Sequence, residues 1–143
     1  MGLAFPAVPD GLGGQAMAWE GKGSAAISDT AAATFLTIPI RQGAERLWAS
    51  FTNGSGGKLD AFQVDIRSGG SDTAPYMTIA NAASDYTTNI QWPILGCSVD
   101  LVTLAVSASA GLAMDIKATQ SIRFKASCAA SSDTTLAYYW SVR

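Results

Sequence analysis

From residue 31 onward the chain alternates apolar and polar positions with a period of two. Ile122, Phe124 and Ala126 oppose Arg123, Lys125 and Ser127, and Leu136, Tyr138, Trp140 and Val142 oppose Ala137, Tyr139 and Ser141. Side chains of an extended backbone point alternately to opposite faces, so such runs predict strands buried on one side. The same reading applies to "TFLTIPI", "RLWASFTN", "KLDAFQVDIRS", "PYMTIANA", "NIQWPILG", "LVTLAVSA" and "LAMDIKAT", with turn-forming clusters between them. Many short strands with few helical candidates predict an all-β chain: a single antiparallel β-sandwich, jelly-roll-like. Pro39 and Pro93 predict edge strands or bulges. The stretch "SDTAAA" predicts a short helical turn capped by Ser28.

The first 24 residues follow another pattern. They are rich in glycine, carry Pro6 and Pro9, and space Phe5, Val8, Met17 and Trp19 without a period. This predicts an extended N-terminal arm over residues 1–24, ordered by a neighbouring molecule if at all, ahead of a sandwich domain over residues 25–143. Phe5, Val8, Met17 and Trp19 are the arm's candidate partner-binding anchors. Gly11, Gly13 and Ala16 formally fit a dinucleotide fingerprint, but prolines precede them where a strand is required.

"FTNGSGGKLDAFQV" places a glycine-rich run and a lysine before an apolar segment, as a phosphate-binding loop does. That loop needs glycine five residues before its Gly-Lys pair and a hydroxyl after the lysine. Aligned on Gly57 and Lys58, those positions hold Thr52 and Leu59. Strand periodicity on both sides predicts instead a β-hairpin tip, with Asn53-Gly54 and Gly56-Gly57 supplying positive φ angles.

Composition narrows the function. Charged residues make up 14% of the chain and apolar residues 48%, against about a quarter charged in a typical domain. A surface so poor in charge suits burial against neighbours. A net charge of −2 with scattered lysines and arginines leaves no basic stripe for a nucleic acid backbone and no basic amphipathic helix for a membrane surface. No apolar run reaches the length of a membrane span, and "MGLAFPAVPDGLGG" lacks the pattern of a secretory signal, so folding is expected in a cytoplasm. With no histidine and only Cys97 and Cys128, the usual zinc sites are excluded, and both cysteines are expected as packed, reduced thiols. No cofactor is implied.

The absence of histidine also removes Ser-His and Cys-His nucleophile pairs. Asp60 and Asp65 fall on opposite faces of one predicted strand, while Asp85, Asp100, Asp115 and Asp133 sit at strand ends or turns, where aspartate ordinarily shapes the backbone. The chain is accordingly expected not to be an enzyme. Among the aromatic residues, Trp140 and Tyr138 share a face with Leu136 and Val142 and are expected in the core, whereas Tyr139 points the other way and is the candidate surface aromatic.

The succession of "LWASFTNGSGGKLDAFQVDIRSGG", "SDYTTN" and "SIRFKASCAASSDTTLAYYWSVR" resembles the small β-sandwich structural proteins of tailed bacteriophages, of the decoration or cement type, over residues 47–143. The resemblance implies a non-enzymatic virion protein, assembled in the host cytoplasm. It would bind the major capsid protein or other virion proteins, and we expect it to act as a homo-oligomer, a trimer. A neck or tail component is a variant of this reading. The alternative is a glycan- or cell-surface-binding module that stacks Trp48, Trp92 or Tyr139 on sugar rings.

Overall fold

The computed structural model describes residues 19–69 and 73–143. The strands are β1 (Glu20–Ile27), β2 (Ala33–Pro39), β3 (Arg46–Asn53), β4 (Leu59–Ser68), β5 (Met77–Ala80), β6 (Ile94–Cys97), β7 (Ser109–Asp115), β8 (Thr119–Cys128) and β9 (Thr134–Val142), with one helical turn, α1 (Ala83–Tyr86), before β6. They form two antiparallel sheets, ordered β1-β9-β3-β7-β6 and β2-β8-β4-β5. The sheets pack face to face as a β-sandwich. Strands β1 to β4 alternate between the sheets, and β9 and β8 insert between them in mirrored positions, which is the double Greek-key order of a jelly roll with β6 added at one edge.

The alternation read from the sequence fills the space between the sheets. Leu47, Ala49 and Phe51 of β3 and Leu136, Trp140 and Val142 of β9 face Phe62, Val64 and Ile66 of β4 and Ile122, Phe124 and Ala126 of β8. The centre is aromatic. Phe51 lies 5.0 Å from Phe62 and 5.2 Å from Phe124 between ring centroids, tilted edge to face, and Phe35 closes the cluster from β2. Tyr86 enters from α1 with no exposed surface, its hydroxyl donating to the Phe62 carbonyl at 2.8 Å. Burial pushes that phenol well above its ordinary pKa.

Several local expectations are corrected. The glycine run is not a hairpin tip, because β3 and β4 belong to different sheets and the run carries the chain across. Nor does it use positive φ angles, since among described glycines only Gly43 has one. Its glycines permit close approach to the turn before β9. A Cβ on Gly54 would lie 2.9 Å from the Thr135 carbonyl oxygen, one on Gly57 would lie 2.8 Å from Ser132, and one on Gly56 would overlap the Asp133 carbonyl. Asn53 fastens the same corner: its amide donates to Gly57 at 2.8 Å and Leu104 at 3.0 Å, and its carbonyl oxygen accepts from Thr134 at 2.8 Å. Gly56→Ala is therefore expected to cost about 2 kcal/mol by overpacking. Gly96→Ala, where a Cβ meets nothing within 4 Å, serves as the control. Thermal melts of the two variants check this.

"LVTLAVSA" is a series of turns, because the Asp100 carboxylate captures the Val102 N–H at 2.8 Å and the Thr103 hydroxyl at 3.0 Å, and Leu101 and Leu104 enter the core three residues apart. "SDTAAA" forms no helix: Ala33 already pairs with Ala126 in β2. The helical turn falls at "SDY", where the Asp85 carboxylate accepts the N–H groups of Asn81 and Ala82. The expected arm overlaps β1, since residues 20–24 pair with β9. Gly21 and Gly23, which suggested an arm, make room for the rings of Trp140 and Tyr138, where a Cβ would come within 2.7 and 2.8 Å.

Candidate functional site: the outer face of the five-stranded sheet

The outward positions of β1, β9, β3 and β7 share one outer face. There Lys22, Ser24 and Ala26 of β1 lie beside Tyr139, Ala137 and Thr135 of β9. Trp48 and Ser50 of β3 are flanked by Ser141 and Tyr139 on one side and by Ala113 and Gly111 of β7 on the other. Trp48 is 45% exposed, Tyr139 44% and Trp92 68%, which is unusual for side chains of this size. Trp92 precedes β6 and joins the same face by donating its indole N–H to the Asp115 carboxylate at 3.2 Å. Small residues, Ser50, Ser141, Gly111 and Ala113, neighbour Trp48 and Tyr139 on this face.

Trp48 and Tyr139 bound a shallow groove of about 370 Å³ floored by Gly111 and Ala113 and edged by Gly96 and Ser98. A second groove, of about 530 Å³, continues past Tyr139 between Lys22, Ser24 and Thr52. Two of the polar groups on this face, Tyr139 and Asp115, already have partners. Tyr139 donates to Glu20 at 3.3 Å. The Lys117 N–H, bonded at 3.0 Å, holds the Asp115 carboxyl below its usual pKa, helped by Trp92 and by the Lys117 and Arg46 charges, each 3.9 Å away.

The sequence-predicted residues are distributed unevenly. Trp140 is buried and Tyr138 packs against the core, as their alternation requires, and Tyr139 is exposed on the opposite side. Trp19 is exposed at the start of β1 with the Arg41 guanidinium 3.5 Å above its ring. Phe5, Val8 and Met17 lie outside the described residues. Both cysteines are free thiols: Cys128 is buried and donates to the Ile27 carbonyl, and Cys97 donates to the Val99 carbonyl at 3.0 Å. Burial raises the pKa of each.

The opposite outer face, on the four-stranded sheet, carries an ionic cluster that sequence reasoning missed. Asp65, read from the sequence only as facing away from Asp60, lies beneath Gln63, Thr78 and Arg123. Arg123 grips it through Nη2 at 2.7 Å and Nε at 3.1 Å, and the Tyr76 ring lies between the guanidinium groups of Arg123 and Arg67, at 4.0 and 4.3 Å. Asp65 stands directly opposite Arg123 in the β4–β8 pairing, on the same face as Gln63.

Between the β2–β3 loop and the β7–β8 turn lies an open depression of about 810 Å³, in which Arg41 is the only charged lining residue among the described residues. Among the described residues no group of His, Cys, Asp and Glu is placed to hold a metal ion, and no helix is long and apolar enough to cross a membrane. No family model, curated protein or solved structure matches the chain.

Proposed function

We propose that this protein is a non-catalytic structural protein of a tailed-phage virion, which decorates the capsid by laying the outer face of its five-stranded sheet on the major capsid protein lattice. The observation that carries the reading is the exposure of Trp48, Trp92 and Tyr139 on one outer face, where the small residues Ser50, Ser141, Gly111 and Ala113 neighbour Trp48 and Tyr139. Aromatic anchors surrounded by small residues allow two backbones to approach closely, and aromatics dominate the binding energy of protein interfaces. The segments quoted above and the jelly-roll strand order, an architecture used by viral capsid and lectin domains, support the same assignment by analogy. The arm, with Phe5, Val8, Met17 and Trp19, extends the grip to neighbouring shell subunits. Many modest contacts repeated over a lattice give large total affinity.

Glycan binding is the second reading, because Trp48 and Tyr139 flank one groove. A sugar site also needs polar groups free to bond hydroxyls. Here Asp115 and Tyr139 are engaged with protein partners, which favours a protein surface.

The test is co-sedimentation with shells of the phage encoding the chain. Trp48→Ala combined with Tyr139→Ala is expected to weaken binding roughly thirtyfold, as loss of an interface hot spot does, with an unchanged melting temperature. Undiminished binding would remove this face from the interface. A saturable tryptophan-fluorescence response to sugars, without shell binding, would establish the glycan reading instead.

A further inference from the structure

We infer that β1 is a self-pairing edge: two copies of this chain join their β1 strands antiparallel about a two-fold axis, running the five-stranded sheet continuously through both. β1 stands at the end of its sheet, and among the described residues nothing pairs with its outward side. An exposed edge presents unpaired N–H and C=O groups, and folded proteins shorten, bend or block such edges. The other sheet edges follow that rule. β5 and β6 have 4 residues each, β6 has a bulge, and β2 has a bulge and ends at Pro39. β1 has 8 residues in unbroken register with β9, without proline.

The orientation of its hydrogen-bonding groups follows from one bond. Val142 N–H donates to the Trp19 carbonyl at 2.7 Å, which makes this opposed pair a hydrogen-bonded one. Opposed residues of an antiparallel ladder alternate between bonded and non-bonded pairs. Gly21, Gly23 and Ala25 therefore turn their backbone groups to β9, and Glu20, Lys22, Ser24 and Ala26 turn theirs outward.

Those outward residues match a copy of themselves. With Gly23 against Gly23 at the axis, Lys22 stands opposite Ser24 and Glu20 opposite Ala26, every outward N–H meets an outward carbonyl, and no like charges are directly opposed. Gly23, without a side chain, admits the close approach that a non-bonded pair at the axis requires. Such an interface closes on itself with two copies, in place of the trimer expected from sequence. It is independent of what the aromatic face binds.

Sedimentation equilibrium of the full chain, with circular dichroism to confirm folding, tests this. The wild type is expected to be a dimer. Ser24→Lys, which sets a like charge opposite Lys22 of the second copy in both halves, is expected to weaken the dimer about tenfold at low salt, and Ser24→Glu to tighten it. Ser24→Pro removes an outward donor while sparing the bonds to β9, and is expected to give a folded monomer. A wild-type monomer or trimer would overturn the inference, as would a dimer indifferent to the Ser24 substitutions. So would a dimer lost only on removing residues 1–18, because the arm would then be the occupant of the edge.

Discussion

Phe62→Ala is expected to lower the unfolding free energy by about 4 kcal/mol, the upper range for deleting a buried aromatic ring. Phe62 has no exposed surface and lies within 6.0 Å of the rings of Phe35, Phe51, Phe124 and Tyr86, centroid to centroid. Those neighbours project from both sheets and from α1, so the vacated space is walled by separate elements that no single movement brings together. The Tyr86 hydroxyl bonds the Phe62 backbone and keeps its partner, which leaves cavity formation as the main loss. Urea unfolding is the measurement: the midpoint should fall with an unchanged slope. A loss below about 1 kcal/mol would mean that the rings close over the space, contrary to rigid packing.

Arg123→Met is expected to cost about 3 kcal/mol, and more than Asp65→Asn, because the two partners of this pair differ in access to water. The Asp65 side chain is 2% exposed and that of Arg123 30%. Deleting the arginine strands a buried carboxylate with only Gln63 and Thr78, whereas neutralising the aspartate leaves a guanidinium that reaches solvent and keeps its contact with the Tyr76 ring. The reverse order of costs would show that the ring contact, rather than the carboxylate, holds Arg123.

Burial pushes the Asp65 carboxyl up, but the hydrogen bonds from Gln63, Arg123 and Thr78, together with the Arg123 charge, outweigh it and hold the pKa below the ordinary 3.8. A depressed folded pKa stabilises the protein above the unfolded value and ceases to do so as pH falls through the folded one. The melting-temperature gap between wild type and Asp65→Asn should accordingly be constant near neutrality and shrink below about pH 4.

How far the sequence could be read depended on whether a feature was periodic or pairwise. Strands such as β3, β8 and β9 were legible because their inward positions repeat every second residue, and the same repeat separated buried Trp140 from exposed Tyr139. The glycine crossover was not, because Gly56 answers to the Asp133 carbonyl, far away in sequence. β1 escaped notice for a related reason: its inward side chains are replaced by rings from β9, so no apolar period marks it. Trp48, Trp92 and Tyr139 could be named as candidates, but their convergence on one face depends on strand order, which periodicity does not encode. The Asp65 cluster likewise joins Gln63 and Asp65 of β4 to Arg123, which stands directly opposite Asp65 on β8, a pairing that depends on strand order and register rather than on periodicity.

The strand order also governs how the chain must be made. β9 lies between β1 and β3, and β8 between β2 and β4, so the earliest strands have no neighbours until the latest leave the ribosome. Contacts so distant along the chain require closing long loops before any reward is gained, which slows folding. During synthesis β1 and β2 have no sheet partner, and β3 and β4 can pair on one side only, with β7 and β5; chains cut short before β9 leave β1 unpaired and one edge of β3 open. Yield in the cell therefore depends on how well these incomplete chains are kept apart, a vulnerability that equilibrium stability does not measure.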